Sequence, residues 1–349
     1  MNTSRQSGFS LIELMISMAI MLLIAGAATT ALMKMTSAQA TIWNRTQMHS
    51  GIRGATEVLQ QEVGQAGRIA LPSPNVRLSA GITGSTTAQA VGVYECPTST
   101  ACTTASVAGM FVGQRVQVDA GCFDTVAQCT TREEIVTLTA VNTGSSTITA
   151  VFANSHASGA PIQARGVFAS GVVPPAASPS SFTNGSTGTV LKLYGDINSD
   201  GNMVYIEYSC VIPAPVGGVQ SPGNLYRNSM AWNATGGSPA PAASQILLSN
   251  IMPNPDGSAC FTYQTLGVAV DTDLNVNTAL VTTYFVTDVA ITLTVQTQLI
   301  DPVTKRFQLE TKALLNVSPR NVFNAWTLAS LGMANRIQPI PPTVAALLP

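Results

Sequence analysis

Charge is scarce in this 349-residue chain: 9% of its residues are charged, and 16 lysines and arginines nearly balance 17 acids. A protein that holds nucleic acid through its phosphates shows a basic patch or stripe. No such cluster occurs here, so there is no direct nucleic-acid signature. Histidine is rarer still, with only His49 on a helical stretch and His156 in a Gly/Ser/Ala loop. No C-x2-C pair accompanies them, which removes the common zinc ligand sets. Neither G-x-S-x-G nor a phosphate-cradling glycine loop is present, so two frequent enzyme signatures are missing. The neighbouring acids Asp119 with Asp124, and Glu133 with Glu134, read as solvated surface. Aromatic residues make up 6% of the chain, and Tyr205, Tyr208, Tyr226 and Trp232 are explained by core and loop packing. No internal repeat occurs, and the expectation is a protein that is not an enzyme.

What the chain does have is one long apolar run. A polar leader ending in Gly8 meets Phe9-Ser10-Leu11-Ile12-Glu13-Leu14, and the run continues to Met33 with Glu13 as its only charge. A bilayer core about 30 Å thick needs roughly 20 apolar residues in a helix, so this stretch is long enough to span one. A secretory signal is cut after its apolar region, at a small-residue motif. Here the polar-to-apolar boundary at Gly8-Phe9 comes first. A carboxylate near the membrane core costs about 2.5–3.5 kcal/mol, and less near the interface. Glu13 therefore either snorkels to the headgroups or meets a positive charge, and the nearest candidate is an α-amino group created by cutting before Phe9.

Gly8-Phe9-Ser10-Leu11-Ile12-Glu13 resembles the cleavage and methylation motif of type IV prepilins and of the pseudopilins of type II secretion. The resemblance implies that residues 1–8 are a leader removed by a membrane-embedded prepilin peptidase. It further implies N-methylation of the new Phe9 amine and pairing of Glu13 with the Phe9 amine of a neighbouring subunit during filament assembly. Residues 9–33 would be the transmembrane and assembly helix of a single-pass inner-membrane protein with a periplasmic head, carried to the pilus or cell surface on assembly. The implied partners are other minor pilins, the major pilin and the inner-membrane assembly machinery.

The apolar pattern continues beyond the membrane run. Trp43, Met48, Ile52, Ala55, Leu59 and Val63 recur at spacings of three to five, so residues 34–70 read as the amphipathic half of one helix ended by Pro72 and Pro74. From about Val76 onward, short Val, Ile, Thr and Tyr runs bounded by Gly, Pro, Asn and Ser predict strands. The expected ones are Val91 to Glu95, Arg115 to Asp119, Glu134 to Thr139, Thr147 to Phe152, Val190 to Tyr194, Met203 to Cys210, Gln245 to Leu248 and Cys260 to Gln264. Tyr284 to Gln298 and Arg306 to Val317 should form a long antiparallel hairpin around Asp301-Pro302. Gly171 to Gly188 and Pro213 to Pro241 read as surface loops. The fold class is thus α+β, a long N-terminal helix packed on a β-rich, mainly antiparallel head. The head divides into a cysteine-loop β subdomain over 71–170 and a later sheet over 171–320. A tail over 321–349 has a short helix at Val322 to Leu331. This layout resembles the minor pilins of the PilW type, and nearly as well the J-type minor pseudopilins. A head of this size suits a minor subunit more than a densely repeated major one.

Two further features invite chemistry. Cys96, Cys102, Cys122, Cys129, Cys210 and Cys260 form an even set in an exported domain, which reads as a disulfide framework. Their spacings suggest local loops Cys96–Cys102 and Cys122–Cys129, leaving Cys210 with Cys260. The stretch from Asp196 to Glu207 fits D-x-[DN]-x-[DN]-G-x5-E, with Asp196, Asn198, Asp200, Asn202 and Glu207 as candidate Ca²⁺ ligands. Strand-like segments rather than helices flank it. A polar hairpin turn built from the same Asn, Asp and Gly residues is the competing reading. A membrane-anchored, calcium-dependent adhesin that never polymerises is the corresponding alternative function.

Overall fold

A computed structural model describes residues 10–71, 73, 75–98, 101–104, 107, 109–120, 133–164, 166–168, 171–176, 185–231, 245–271, 280–333, 336–339, 341 and 344. One helix, α1 (Leu11–Gln65), dominates it. At 1.5 Å per residue its 55 residues extend about 82 Å. Only its second half is seated: Met48, Ile52, Ala55, Leu59 and Val63 are buried against the head. These positions recur every three or four residues, which is the stripe a helix presents to a core. Trp43 departs from that reading, since it is 71% exposed and turned away from the core.

The helix ends through glycine rather than proline. Gly67 takes φ +80°, a left-handed conformation open to glycine without strain. Its N–H donates to the Tyr194 carbonyl at 2.9 Å, and its own carbonyl accepts from Phe168 N–H at 3.0 Å. Pro72 and Pro74, expected to stop the helix, lie outside the described residues. Gly171 is packed against this turn so closely that a Cβ there would sit 1.9 Å from the Gly67 nitrogen.

Among the described residues the head contains two seven-stranded sheets. The first comprises β1 (Val76–Leu78), β2 (Gln89–Thr98), β3 (Ala101–Thr104), β4 (Arg115–Val118), β5 (Glu134–Asn142), β6 (Thr147–Ala150) and β7 (Ile162–Ala164). Its order is β1-β2-β6-β5-β4-β7, with β3 paired to β2 and every pairing antiparallel. Leu78, Val93, Val116, Leu138, Ile148 and Phe152 belong to its own core. A short β8 (Val167–Phe168) follows.

The second sheet carries the long helix. It comprises β9 (Val190–Gly195), β10 (Val204–Val211), β11 (Gly223–Ala231), β12 (Ile246–Met252), β13 (Phe261–Asp271), β14 (Leu280–Gln296) and β15 (Leu309–Val317). The order is β13-β14-β12-β11-β10-β9, with β15 paired to β14, and again all neighbours are antiparallel. Leu193, Ile206, Leu225, Ile251, Val289 and Leu293 pack under α1. Cys210 on β10 is bonded to Cys260 just before β13, with Cα atoms 6.6 Å apart. The expected hairpin is present, as β14 and β15 pair from Val289–Val317 to Gln296–Leu309.

The fold class is therefore α+β as expected, with two corrections of substance. Residues 171–174, at the start of the expected surface loop Gly171 to Gly188, are buried, with Val172 in the core under α1. Part of the expected loop Pro213 to Pro241 is strand: β11 lies in the middle of the second sheet. Its flanking Ser, Pro and Gly residues disguise a run in which Leu225 reaches the core and Asn224, Arg227 and Asn228 carry the polarity. A second helix, α2 (Arg320–Ser330), buries Val322, Ala325 and Ala329. It leads to β16 (Ile337–Gln338), which pairs in parallel with β8. Asn321 Nδ2 donates to the carbonyls of Gln65 at 3.2 Å and Ala66 at 2.9 Å, so α2 satisfies acceptors that the end of α1 leaves open.

Candidate functional site

The apolar start of α1 is the part of the molecule that the fold does not use. Ser10 is extended, with φ −69° and ψ 141°, and forms the N-cap. Its carbonyl accepts from Glu13 N–H at 3.0 Å and Leu14 N–H at 3.1 Å. Glu13 sits in the first turn, where the helix dipole favours a negative charge. None of the most apolar stretch of this helix is buried inside the chain, and it is long and apolar enough to cross a membrane. A helix apolar on all sides calls for lipid or other apolar helices around it. Glu13 is exposed, and among the described residues no ion-pair partner stands beside it. Gly8 and Phe9 lie outside the described residues.

The head fastens the rest of the helix at polar points. Glu62 of α1 accepts from Arg227 of β11, with Nη2 to Oε1 at 2.6 Å and Nε to Oε1 at 2.9 Å, and it also accepts from the Tyr208 hydroxyl on β10. Burial works against the Arg227 charge, but the hydrogen bonds and charge of Glu62 keep the guanidinium above its ordinary value. Lower on the helix, Thr41 donates to Asp301 Oδ1 at 2.9 Å. Arg45 donates to Gln308, and His49 pairs with Glu310. Asp301 Oδ1 also accepts from Val303 N–H at 2.7 Å and Thr304 N–H at 3.3 Å, which fixes the tip of the β14–β15 hairpin. Burial alone would raise the Asp301 carboxyl; these donors, with Arg45 nearby, hold it below the usual carboxylate value.

The candidate calcium residues are arranged as a self-bonded turn. Asp196 Oδ1 accepts from Asp200 N–H at 3.0 Å and Gly201 N–H at 3.2 Å, while Asp200 Oδ1 accepts from Asn202 N–H at 2.9 Å. Gly201 has φ +84° and Ser199 φ +59°, so the tight bend is real. The other Asp196 oxygen faces Arg68 Nε at 3.5 Å, and Arg68 Nη1 donates to Ser199 Oγ at 2.7 Å. A guanidinium thus stands where a cation would sit. Glu207 is not turned to this loop. It lies opposite Lys192 in the β9–β10 register, 3.7 Å from Lys192 Nζ, and accepts from the Tyr205 hydroxyl at 2.6 Å. Asn198 and Asn202 are exposed. Among the described residues no group of three or more His, Cys, Asp or Glu is placed to hold a metal.

The structure brings together three residues that composition had separated. His156 is buried, with Nδ1 2.6 Å from Asp119 Oδ2 and Nε2 2.7 Å from Glu134 Oε1. Glu134 Oε2 accepts further from the N–H groups of Ala153 at 3.0 Å and Asn154 at 3.2 Å. The ring meets Phe152 edge-on, with centroids 5.9 Å apart. Asp119 and Glu134 are therefore not surface acids but the two walls of a buried clamp joining β4, β5 and the loop after β6. The separations of 37 and 22 residues left no local pattern to find. Glu133 instead faces Arg336 at 4.0 Å. Cys96 and Cys102 fall on β2 and β3, but their side chains lie outside the described residues, as do Cys122, Asp124, Cys129 and Trp232.

Against known families, residues 3–29 match the prokaryotic N-terminal methylation motif. That motif is a signal of type IV pilins and pseudopilins, and it coincides with the exposed apolar start of α1 and its first-turn Glu13. No curated protein and no solved structure matches the chain.

Proposed function

We propose that this chain is a minor pilin, cut before Phe9 and built into a type IV pilus, where it primes assembly or occupies the tip. The observation that carries the reading is the division of α1. Its second half is seated on the second sheet, while Leu11 to Met33 is exposed and lies largely within the match, over residues 3–29, to a motif for N-terminal methylation. An apolar helix of this kind first lies in the inner membrane with the head in the periplasm. It then exchanges lipid for the helices of neighbouring subunits, including the major pilin and other minor pilins. Glu13 supplies direction, because its carboxylate inside an apolar bundle requires the methylated Phe9 amine of the adjacent subunit. The protein acts by assembly and not by catalysis. The head exceeds what a repeated shaft subunit needs, which favours a minor role.

Mass spectrometry of the mature N-terminus tests processing: the expected peptide begins at N-methylated Phe9, and an uncut leader would overturn the reading. Glu13→Ala tests assembly. The expected result is a correctly inserted protein that is lost from surface filaments. Unchanged surface assembly would favour a non-polymerising anchor, and a secretion defect with intact pili would favour a minor pseudopilin.

A further inference from the structure

We propose that the tip of the β14–β15 hairpin is a foot that rests the head on the lipid surface while the subunit waits in the membrane. This rests on the reading that Phe9 to Met33 spans the bilayer. Three residue pairs fix the direction of the hairpin: Glu310 stands beside His49, Gln308 beside Arg45, and Asp301 beside Thr41. Moving toward the tip therefore means moving down α1 toward its N-terminus. Leu299, at the tip, lines a shared hollow with Thr36, Gln39, Ala40 and Trp43.

The depth fits. Met33 closes the apolar run, and at 1.5 Å per residue Thr36 lies about 5 Å and Thr41 about 12 Å beyond it. The headgroup layer of one leaflet is roughly 5–8 Å deep. The run itself, roughly 37 Å long as a helix, exceeds a core of about 30 Å, so tilt carries the tip lower still.

The chemistry fits as well. Leu299, Ile300, Val303 and Phe307 are exposed in the connection between β14 and β15, residues 297–308, at 61%, 52%, 66% and 45%. Trp43 stands on the helix beside them, an aromatic type enriched at the membrane interface. Lys305 and Arg306 are exposed at the same tip, and Lys34 follows the apolar run directly; such cations favour anionic headgroups. The acid at the tip does not oppose this, since Asp301 is buried and its Oδ1 alone accepts three hydrogen bonds. An exposed turn is ordinarily polar; here four exposed apolar side chains stand beside two cations and the carboxylate is hidden, as an anionic lipid surface requires.

The test uses the full chain in vesicles of equal parts phosphatidylethanolamine and phosphatidylglycerol. A photoreactive benzoylphenylalanine is placed singly at Val303, Phe307, Leu22 or Leu331. Leu331 is an equally apolar, exposed position after α2, whose Asn321 caps the far end of α1. After irradiation, mass spectrometry should find phospholipid adducts at Val303, Phe307 and Leu22, and none at Leu331. Adding Leu299→Asp and Ile300→Asp should abolish the adduct at Phe307 and leave the one at Leu22. Adducts to a second protein copy in place of lipid at Val303 and Phe307 would overturn the foot and make the tip a subunit contact. So would an adduct at Leu22 alone, or lipid adducts of equal yield at Leu331. Failure at Leu22 as well would overturn the membrane-spanning reading together with the foot.

Discussion

Arg227, in the middle strand that the sequence disguises as loop, holds Glu62 of the long helix through Nη2–Oε1 at 2.6 Å and Nε–Oε1 at 2.9 Å. A forked guanidinium on a carboxylate fixes both distance and rotation. It therefore sets how α1 lies across β10 and β11, beyond what a greasy stripe can specify.

Removing either partner should expose that role. Glu62→Ala leaves Arg227 half-buried and the Tyr208 hydroxyl without its acceptor, at an expected cost of about 1–3 kcal/mol, reduced from the fully buried case by partial solvent access. Arg227→Ala should cost a similar amount. The double variant should lose less than the two single losses combined, because they share one interaction. Denaturant unfolding of the full chain in detergent, followed by circular dichroism, measures all three. Strict additivity would show that the pair is idle.

Alkaline titration should find tyrosines that ionise only when the head unfolds. Burial pushes the phenols of Tyr194, Tyr208 and Tyr263 above their ordinary value, and for Tyr208 the Glu62 carboxylate pushes the same way while Arg227 opposes. A folded-state pKa above the unfolded value contributes stability that is complete below about pH 10 and is lost as pH rises through the folded pKa. Ultraviolet absorbance of phenolate should therefore rise in two stages, the second coinciding with loss of circular dichroism. Ionisation of all seven tyrosines in one early stage would contradict the burial of these three.

His156 should be among the most sensitive positions of the first sheet. His156→Ala leaves the Asp119 and Glu134 carboxylates facing each other with no donor between them, and removing one member of a buried charged set costs about 3–5 kcal/mol. Combining His156→Leu with Asp119→Asn and Glu134→Gln should recover much of the loss by removing the unpaired charges. Hydrogen exchange at the N–H groups of Ala153 and Asn154, both held by Glu134, reads the effect locally. Unchanged protection in the single variant would mean that the clamp is incidental.

The legibility of this molecule follows the range of each interaction. The stripe from Met48 to Val63, the expected strands, the final hairpin and the helix after Pro319 are local patterns, and each has its counterpart in the fold, whereas β1, β3, β7 and β11 had no such pattern to announce them. Trp43 broke its stripe because it faces away from the β14–β15 hairpin: Thr41 and Asn44 on the same turn are half-buried and buried, while Trp43 is exposed. Gly67 ended the helix earlier than the prolines because its left-handed turn fits against Gly171, a contact made across 104 residues. The Asp119–His156–Glu134 clamp and the Glu62–Arg227 pair are likewise products of topology. The N-terminal methylation motif over residues 3–29 was legible for the opposite reason: it is written in consecutive residues and needs no contact with the head.

The loop from Asp196 to Gly201 provides the last test, between a cation site and a turn. Its geometry argues for the turn: one Asp196 oxygen is spent on two backbone N–H groups, Arg68 stands 3.5 Å from the other, and Glu207 is committed to Lys192 and Tyr205. A calcium ion would have to displace the guanidinium and compete with donors already aimed at the carboxylate. Thermal melting of the full chain should accordingly be the same with millimolar Ca²⁺ and with chelator. Asp196→Ala should lower stability by about 1–3 kcal/mol in both conditions, because it strands buried donors rather than a metal. A rise of several degrees with Ca²⁺ that disappears in Asp196→Ala would instead assign the loop to calcium, with Arg68 as a residue that must swing away.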